Sequence, residues 1–218
     1  MRPSLEDEAV SQFLDLQRNS LCYARLHGVH TLDRLFDADQ SVQVAKDVEQ
    51  YYRVMFRRSV LSWNLRDQHM AETFAALVEY LERQPRSATL ILWAHNAHIG
   101  DARVTQMADA GQTNIGQLLR QQYGGQCRSI GFTTYAGTVT AAIGWRQPTG
   151  RKHLQSPRPD SYEALFHQTG IPAFSLNLES GSQVADGLRA PMLERSIGVV
   201  YLPANELASH YYQARLSD

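Results

Sequence analysis

With 218 residues, 43% hydrophobic and 20% charged, the chain is long enough to bury a core and too apolar to remain disordered. A net charge of -1 leaves no electrostatic footprint for nucleic acid or an anionic membrane, so neither is expected as a partner. Cys22 and Cys127 stand far apart without CxxC spacing, which excludes a disulfide scaffold and a cysteine-only zinc site. No apolar run approaches the ~20 residues that span a bilayer. The opening MRPSLEDEAV is acidic and carries no signal-peptide core, so a cytoplasmic location is expected.

In chain order, residues 5–84 read as helical. Phe13, Leu14, Leu21 and Ala24 recur at helical spacing after a Ser4 N-cap. HGVHTLDRLF contains Gly28 and reads as a loop. A second helix is predicted from about Ala38 to Arg58, with Val42, Ala45, Tyr52 and Phe56 on one face. In a third, Met70, Phe74, Leu77 and Leu81 step by four, three and four, and the helix ends before Pro85. The texture changes from Ser87. ATLILWA has the continuous apolar run of a central strand covered on both faces. NIGQLLRQQYGG reads as a helix closed by Gly124 and Gly125. RSIGFTTY, TVTAAI, PAFSLNL and IGVVYLP are further strand candidates. DSYEALFHQTG reads as a short helix with Asp160 and Glu163 as a capping box, and residues 144–160 as a long surface loop. The predicted class is α/β. A helical part, about 5–84, is followed by a partial, mainly parallel sheet with flanking helices and a right-handed crossover at 88–133.

ILWAHNAHIGD, 91–101, ends an apolar run in two imidazoles, an amide and a carboxylate. Ligands gather outside the carboxyl ends of strands in open α/β sheets. There, His95 and His98 can act as general base, donate to a developing oxyanion or bind a metal, with Asn96 and Asp101 beside them. The competing reading is a turn whose histidines cap backbone groups. The pair lacks the i,i+4 spacing of HExxH, and no third ligand follows from spacing, so no metal or cofactor is assigned and a metal stays open. In WNLRDQHM, Arg66, His69 and Thr73 share a helix face. Arg66 can clamp a carboxylate or oxyanion and Asp67 can orient a histidine; the alternative is a solvated face. GFTTYAGTVTAA places Thr133, Thr134 and Tyr135 where they line a pocket or simply fill a strand. GxSxG is absent, and in GQTNIGQ a glutamine, Gln117, stands where a P-loop needs lysine.

WAHNAHIGDARVTQM, NIGQLLRQQYG and GFTTYAGTVTAA together closely resemble the erythromycin esterase family. DVEQYYRVMFRRSVLSWNLRDQHMAET upstream and SYEALFHQTGIPAFSLNL and LERSIGVVYLP downstream extend the resemblance over nearly the whole chain. The resemblance implies a hydrolase that opens ester or lactone bonds, macrolide lactones in the family's named members, by histidine-assisted water attack without a covalent serine intermediate. His95 and His98 match the family's AHN-x-H pair, and Arg66 falls in its RD-x-x-M segment. The implied roles are His95 and His98 polarising the ester carbonyl or holding the attacking water, with Arg66 and Asp67 in support. The family pattern also includes an earlier Gly-Glu-x-x-His segment that supplies a general base, and this sequence does not contain it. The expectation is therefore an incomplete single domain over 1–218, a helical region 1–86 and an α/β region 87–218, weakly active or inactive alone. Self-association through exposed sheet edges is expected with it. A metal-dependent hydrolase and a non-catalytic binder of a small molecule or partner are the alternatives.

Overall fold

The computed structural model describes residues 11, 30–55, 59–84, 89–178 and 182–216, so the expected first helix around Phe13–Ala24 lies outside them. The chain divides into two compact units, Met1–Trp93 and Ala94–Asp218. Among the described residues, no helix is long and apolar enough to cross a membrane.

In the first unit, α1 (His30–Val54) and α2 (Ser59–Glu82) pack together. HTLDRLF, read as a loop, is the first part of α1. Its Leu, Arg and Phe are competent helix formers, and a glycine at position 28 does not reach into the turns that follow it. The face that α1 turns to α2 also differs from the expected one, since Ala45 and Tyr52 are exposed. The contact is polar and aromatic instead. Phe36 stacks on Tyr80 at 4.5 Å, the Tyr80 hydroxyl donates to Asp33, and His69 Nδ1 lies 2.7 Å from Asp47 Oδ2. The predicted stripe of Met70, Phe74, Leu77 and Leu81 lies within α2 and is half-buried.

The second unit holds α3 (Asn96–Ile99), α4 (Ile115–Tyr123), β1 (Thr138–Ala142), β2 (Thr149–His153), α5 (Tyr162–His167), α6 (Gln183–Gly187), β3 (Met192–Arg195), α7 (Glu206–Ser209) and β4 (Tyr211–Ala214). The mixed helix-and-strand class stands, but the pairing differs from the expected parallel sheet. Both ladders among the described residues are antiparallel: β1 with β2, Thr138 opposite His153, and β3 with β4, Arg195 opposite Tyr211. Parallel pairing is confined to isolated bridges, Ala142 to Val200 and Ser161 to Leu193. Of residues 88–94, expected as a central strand, the described 89–94 are in no described ladder, and Ile91 and Trp93 are 88% and 86% exposed. An apolar run sets the demand for cover, but a strand also needs a neighbour for its N–H and C=O groups. Half of the predicted 144–160 loop is hairpin. TGRKH has almost no apolar alternation, so only the backbone ladder marks it as β2.

The apolar core of this unit gathers on Tyr162, Leu188 and Ala214, with Leu165, Phe166 and Met192 packed against them. The Tyr162 hydroxyl donates to the Ala214 carbonyl at 2.9 Å, tying α5 to β4. On the other side of β3, the Arg195 guanidinium meets Glu206 at 3.0 Å, both almost fully buried. Tyr201 and Tyr211 donate their hydroxyls to the same carboxylate. Removing one member of so buried an ion pair strands the other charge, which is why such pairs are costly to break.

Candidate active site

α4 sets the position of the histidine turn. Asn114 caps it: its Oδ1 accepts from Gln117 N at 3.0 Å and from Ala102 N at 3.2 Å, while Nδ2 donates to Ala97 O at 2.9 Å. One buried amide thus joins the first turn of α4 to α3. Close approach does the rest. A Cβ built on Gly116 would lie 2.0 Å from Gly100 O and 2.2 Å from Ile99 O, so only glycine lets α4 come this near. Gly124 then closes α4 at a φ of 51°, as the sequence predicts.

His95 is the N-cap of α3. Its Nδ1 accepts from Ala97 N at 3.1 Å, so the ring proton of the neutral imidazole resides on Nε2, which donates to Ile197 O at 3.0 Å. Both ring nitrogens are therefore bound to backbone, as the competing capping reading would have it. His98 lies one turn on, half-buried, at the third position of the same helix. Asn96 makes a two-point bond with one peptide: Nδ2 donates to Phe132 O at 2.7 Å and Oδ1 accepts from Phe132 N at 3.2 Å. The second Nδ2 hydrogen goes to Glu194 Oε1 at 3.3 Å.

Asp101 faces inward to Arg103, with bonds of 2.9 and 2.6 Å to the guanidinium and 3.0 Å to Arg103 N. Burial works against its charge, but the Arg103 bonds and the nearby Arg120 outweigh it and hold the carboxyl below the usual aspartate range. Arg66 and Asp67 belong to the helical unit. Arg66 is exposed and lies over the Trp63 ring at 5.3 Å, and Asp67 is buried on α2. Of the GFTTY hydroxyls, Thr134 turns back to Ala136 O and Tyr135 stacks on His167 at 3.6 Å, but Thr133 donates to Glu163 Oε1 at 2.7 Å.

Glu163 and Glu194 are the centre that sequence reasoning missed. Ser161, not Asp160, caps α5, and Glu163 points into the unit with 1% exposure. Its Oε1 accepts from Thr133 and, at 3.0 Å, from Arg195 N, while its buried Oε2 has no partner. Glu194, on β3, is pushed above the ordinary glutamate range by burial and by Glu163's charge, against hydrogen bonds from Tyr212 and Asn96. The available signal was a charged residue inside MLER, just before the apolar IGVVYLP, where a strand has no reason to bury one. Among the described residues, no group of three or more His, Cys, Asp or Glu side chains is arranged to hold a metal.

A mixed helix-and-strand fold that puts a two-histidine turn against buried carboxyls defines a class of candidate hydrolytic sites without a serine elbow. The erythromycin esterase family profile matches residues 1–218, and the chain belongs to that family. A crystal structure of a protein from Bacillus cereus is similar to it, with a TM-score of 0.70 at 19% identity. The match covers 97% of this chain and 50% of that one, so this chain spans about half the length of that relative. At such identity the likeness shows the fold alone.

Proposed function

We propose that the chain forms part of a hydrolase that opens carboxylic ester or lactone bonds by water attack, with His95 and His98 at the reacting centre. The family match over residues 1–218 carries this reading. The ring geometry of His95 gives it a chemical form. Because Nδ1 is held by the Ala97 N–H, the proton stands on Nε2, the tautomer that donates to an oxyanion. A substrate carbonyl that displaces Ile197 O from Nε2 receives that hydrogen bond as its charge develops. His98 then holds the attacking water, whose proton passes to a general base, carried in the family by its Gly-Glu-x-x-His segment, and on to the leaving alkoxide as the tetrahedral intermediate collapses. Arg66 and Asp67 stay a feature of the helical unit; Asn96 and Asp101 act by holding the turn, since Phe132, Glu194 and Arg103 engage their polar atoms.

The test is hydrolysis of a simple aryl ester and of a macrolide lactone by the purified protein. His98→Ala should lower kcat by about a hundredfold or more with little change in KM. Unchanged kcat in that variant would overturn the role of His98. A second reading, a non-catalytic binder of the same molecules, is favoured by the full engagement of both His95 nitrogens. It requires a thermal shift with macrolide that survives the double substitution His95→Ala, His98→Ala without any turnover in the parent.

A further inference from the structure

Glu163 on α5 and Glu194 on β3 are both buried, one 1% and the other 9% exposed, and the charge of Glu163 acts on Glu194. Neither has an ion-pair partner among the described residues; the neighbouring Arg195 guanidinium is committed to Glu206 and Gln155 O. The groups that face Glu194 are Asn96 from α3, Tyr212 from β4, and Tyr162 and Glu163 from α5, and none of them brings a positive charge. Two buried carboxylates without a cation cannot both keep their charge cheaply. The donors also differ. Glu163 Oε1 collects a hydroxyl and a backbone N–H. Glu194 receives a tyrosine hydroxyl and the second hydrogen of the Asn96 amide.

We infer that Glu194, buried beside Glu163 with no cation to offset a charge, keeps its proton and, through Asn96, fixes the turn that carries His95 and His98. The two glutamates are positioning residues, because they touch the turn's support and not the reacting atoms. Their relevance to catalysis rests on the hydrolase reading above; the positioning itself does not. Asn96 is the link. With its Nδ2 held by Phe132 O and Glu194 together, the amide plane is fixed, and with it the first residue of α3. Next to that residue stands His95, whose own ring caps Ala97.

The experiment uses this chain with carbon-13 in its glutamate carboxyls, followed by NMR against pH. Glu163→Gln should lower the Glu194 midpoint by about one pH unit or more, because a neutral amide no longer repels its charge. An unchanged midpoint overturns the retained proton on Glu194. Backbone amide exchange at Phe132, compared at one pH, reads the positioning. Glu194→Gln keeps a side-chain oxygen for Asn96 and should change that exchange by less than about twofold. Glu194→Leu should speed it about tenfold, the scale of one hydrogen bond. Equal exchange in the two variants overturns the positioning role. Should the leucine variant not fold, Glu194→Asp withdraws the acceptor by one methylene and is judged by the same comparison. Both responses seen in a protein that hydrolyses no ester would uphold the pair and remove only the hydrolase reading.

Discussion

A histidine with both nitrogens on backbone groups does two things at once: it ends a chain segment and it stores a defined tautomer. That is the state of His95, whose Nδ1 accepts from Ala97 N while Nε2 donates to Ile197 O. The carboxyls around it set opposite pH responses. Asp101 titrates below its ordinary range in the fold, so its contribution is present above the unfolded aspartate value and is lost as pH falls through the folded one. Glu194 titrates above its ordinary range, so its contribution is full below the unfolded glutamate value and is lost as pH rises through the folded one. Denaturant unfolding measured across pH should therefore show a decline on the acid side that Asp101→Asn flattens. A separate decline above the ordinary glutamate range should vanish in Glu194→Gln. The slopes carry the prediction; both substitutions will also shift the absolute level.

At the level of elements, the seat of the turn depends on one missing side chain. Gly116→Ala in α4 should gain helix propensity and still destabilise the unit by about 1–3 kcal/mol or more, because backbone oxygens of Ile99 and Gly100 occupy the space and cannot yield as a side chain would. Its melting temperature, set against that of Gly125→Ala, where nothing lies within 4 Å, checks this. The same elements show what a sequence can and cannot convey. α4, with Asn114 before it and Gly124 after it, was legible because caps and periodicity are local. So was β1, whose TVTAA alternates only weakly but is rich in strand formers. β2 was not, since TGRKH gains its place from hydrogen bonds to β1 and from no property of its own side chains. The histidine pair was legible as a motif, whereas Glu163 and Glu194, 31 positions apart in sequence, meet only once α5 and β3 are packed. Pairing direction was out of reach for the same reason: apolar content marks a strand without saying which neighbour it has.

At the scale of the whole molecule, the extended segments that carry no ladder are also those that show their apolar side chains. Ile130 and Phe132 are 71% and 68% exposed, and Ile171, Phe174 and Val199 are exposed as well. Apolar patches of this kind favour association. The chain should therefore self-associate with rising concentration in sedimentation or light-scattering measurements, and replacing Ile130 and Phe132 by threonine should weaken this. A sharp monomer at all concentrations would count against it.

Trp93 turns this exposure into a signal. An indole so open to water loses excited-state energy to the reorienting solvent dipoles and emits toward the red. Whatever comes to cover residues 89–95, be it a second copy or a longer stretch of polypeptide, must exclude that solvent and move the emission to the blue. Once Trp63 and Trp145 are replaced by phenylalanine, the chain thus carries, two residues before His95, its own optical gauge of whether that segment is bare.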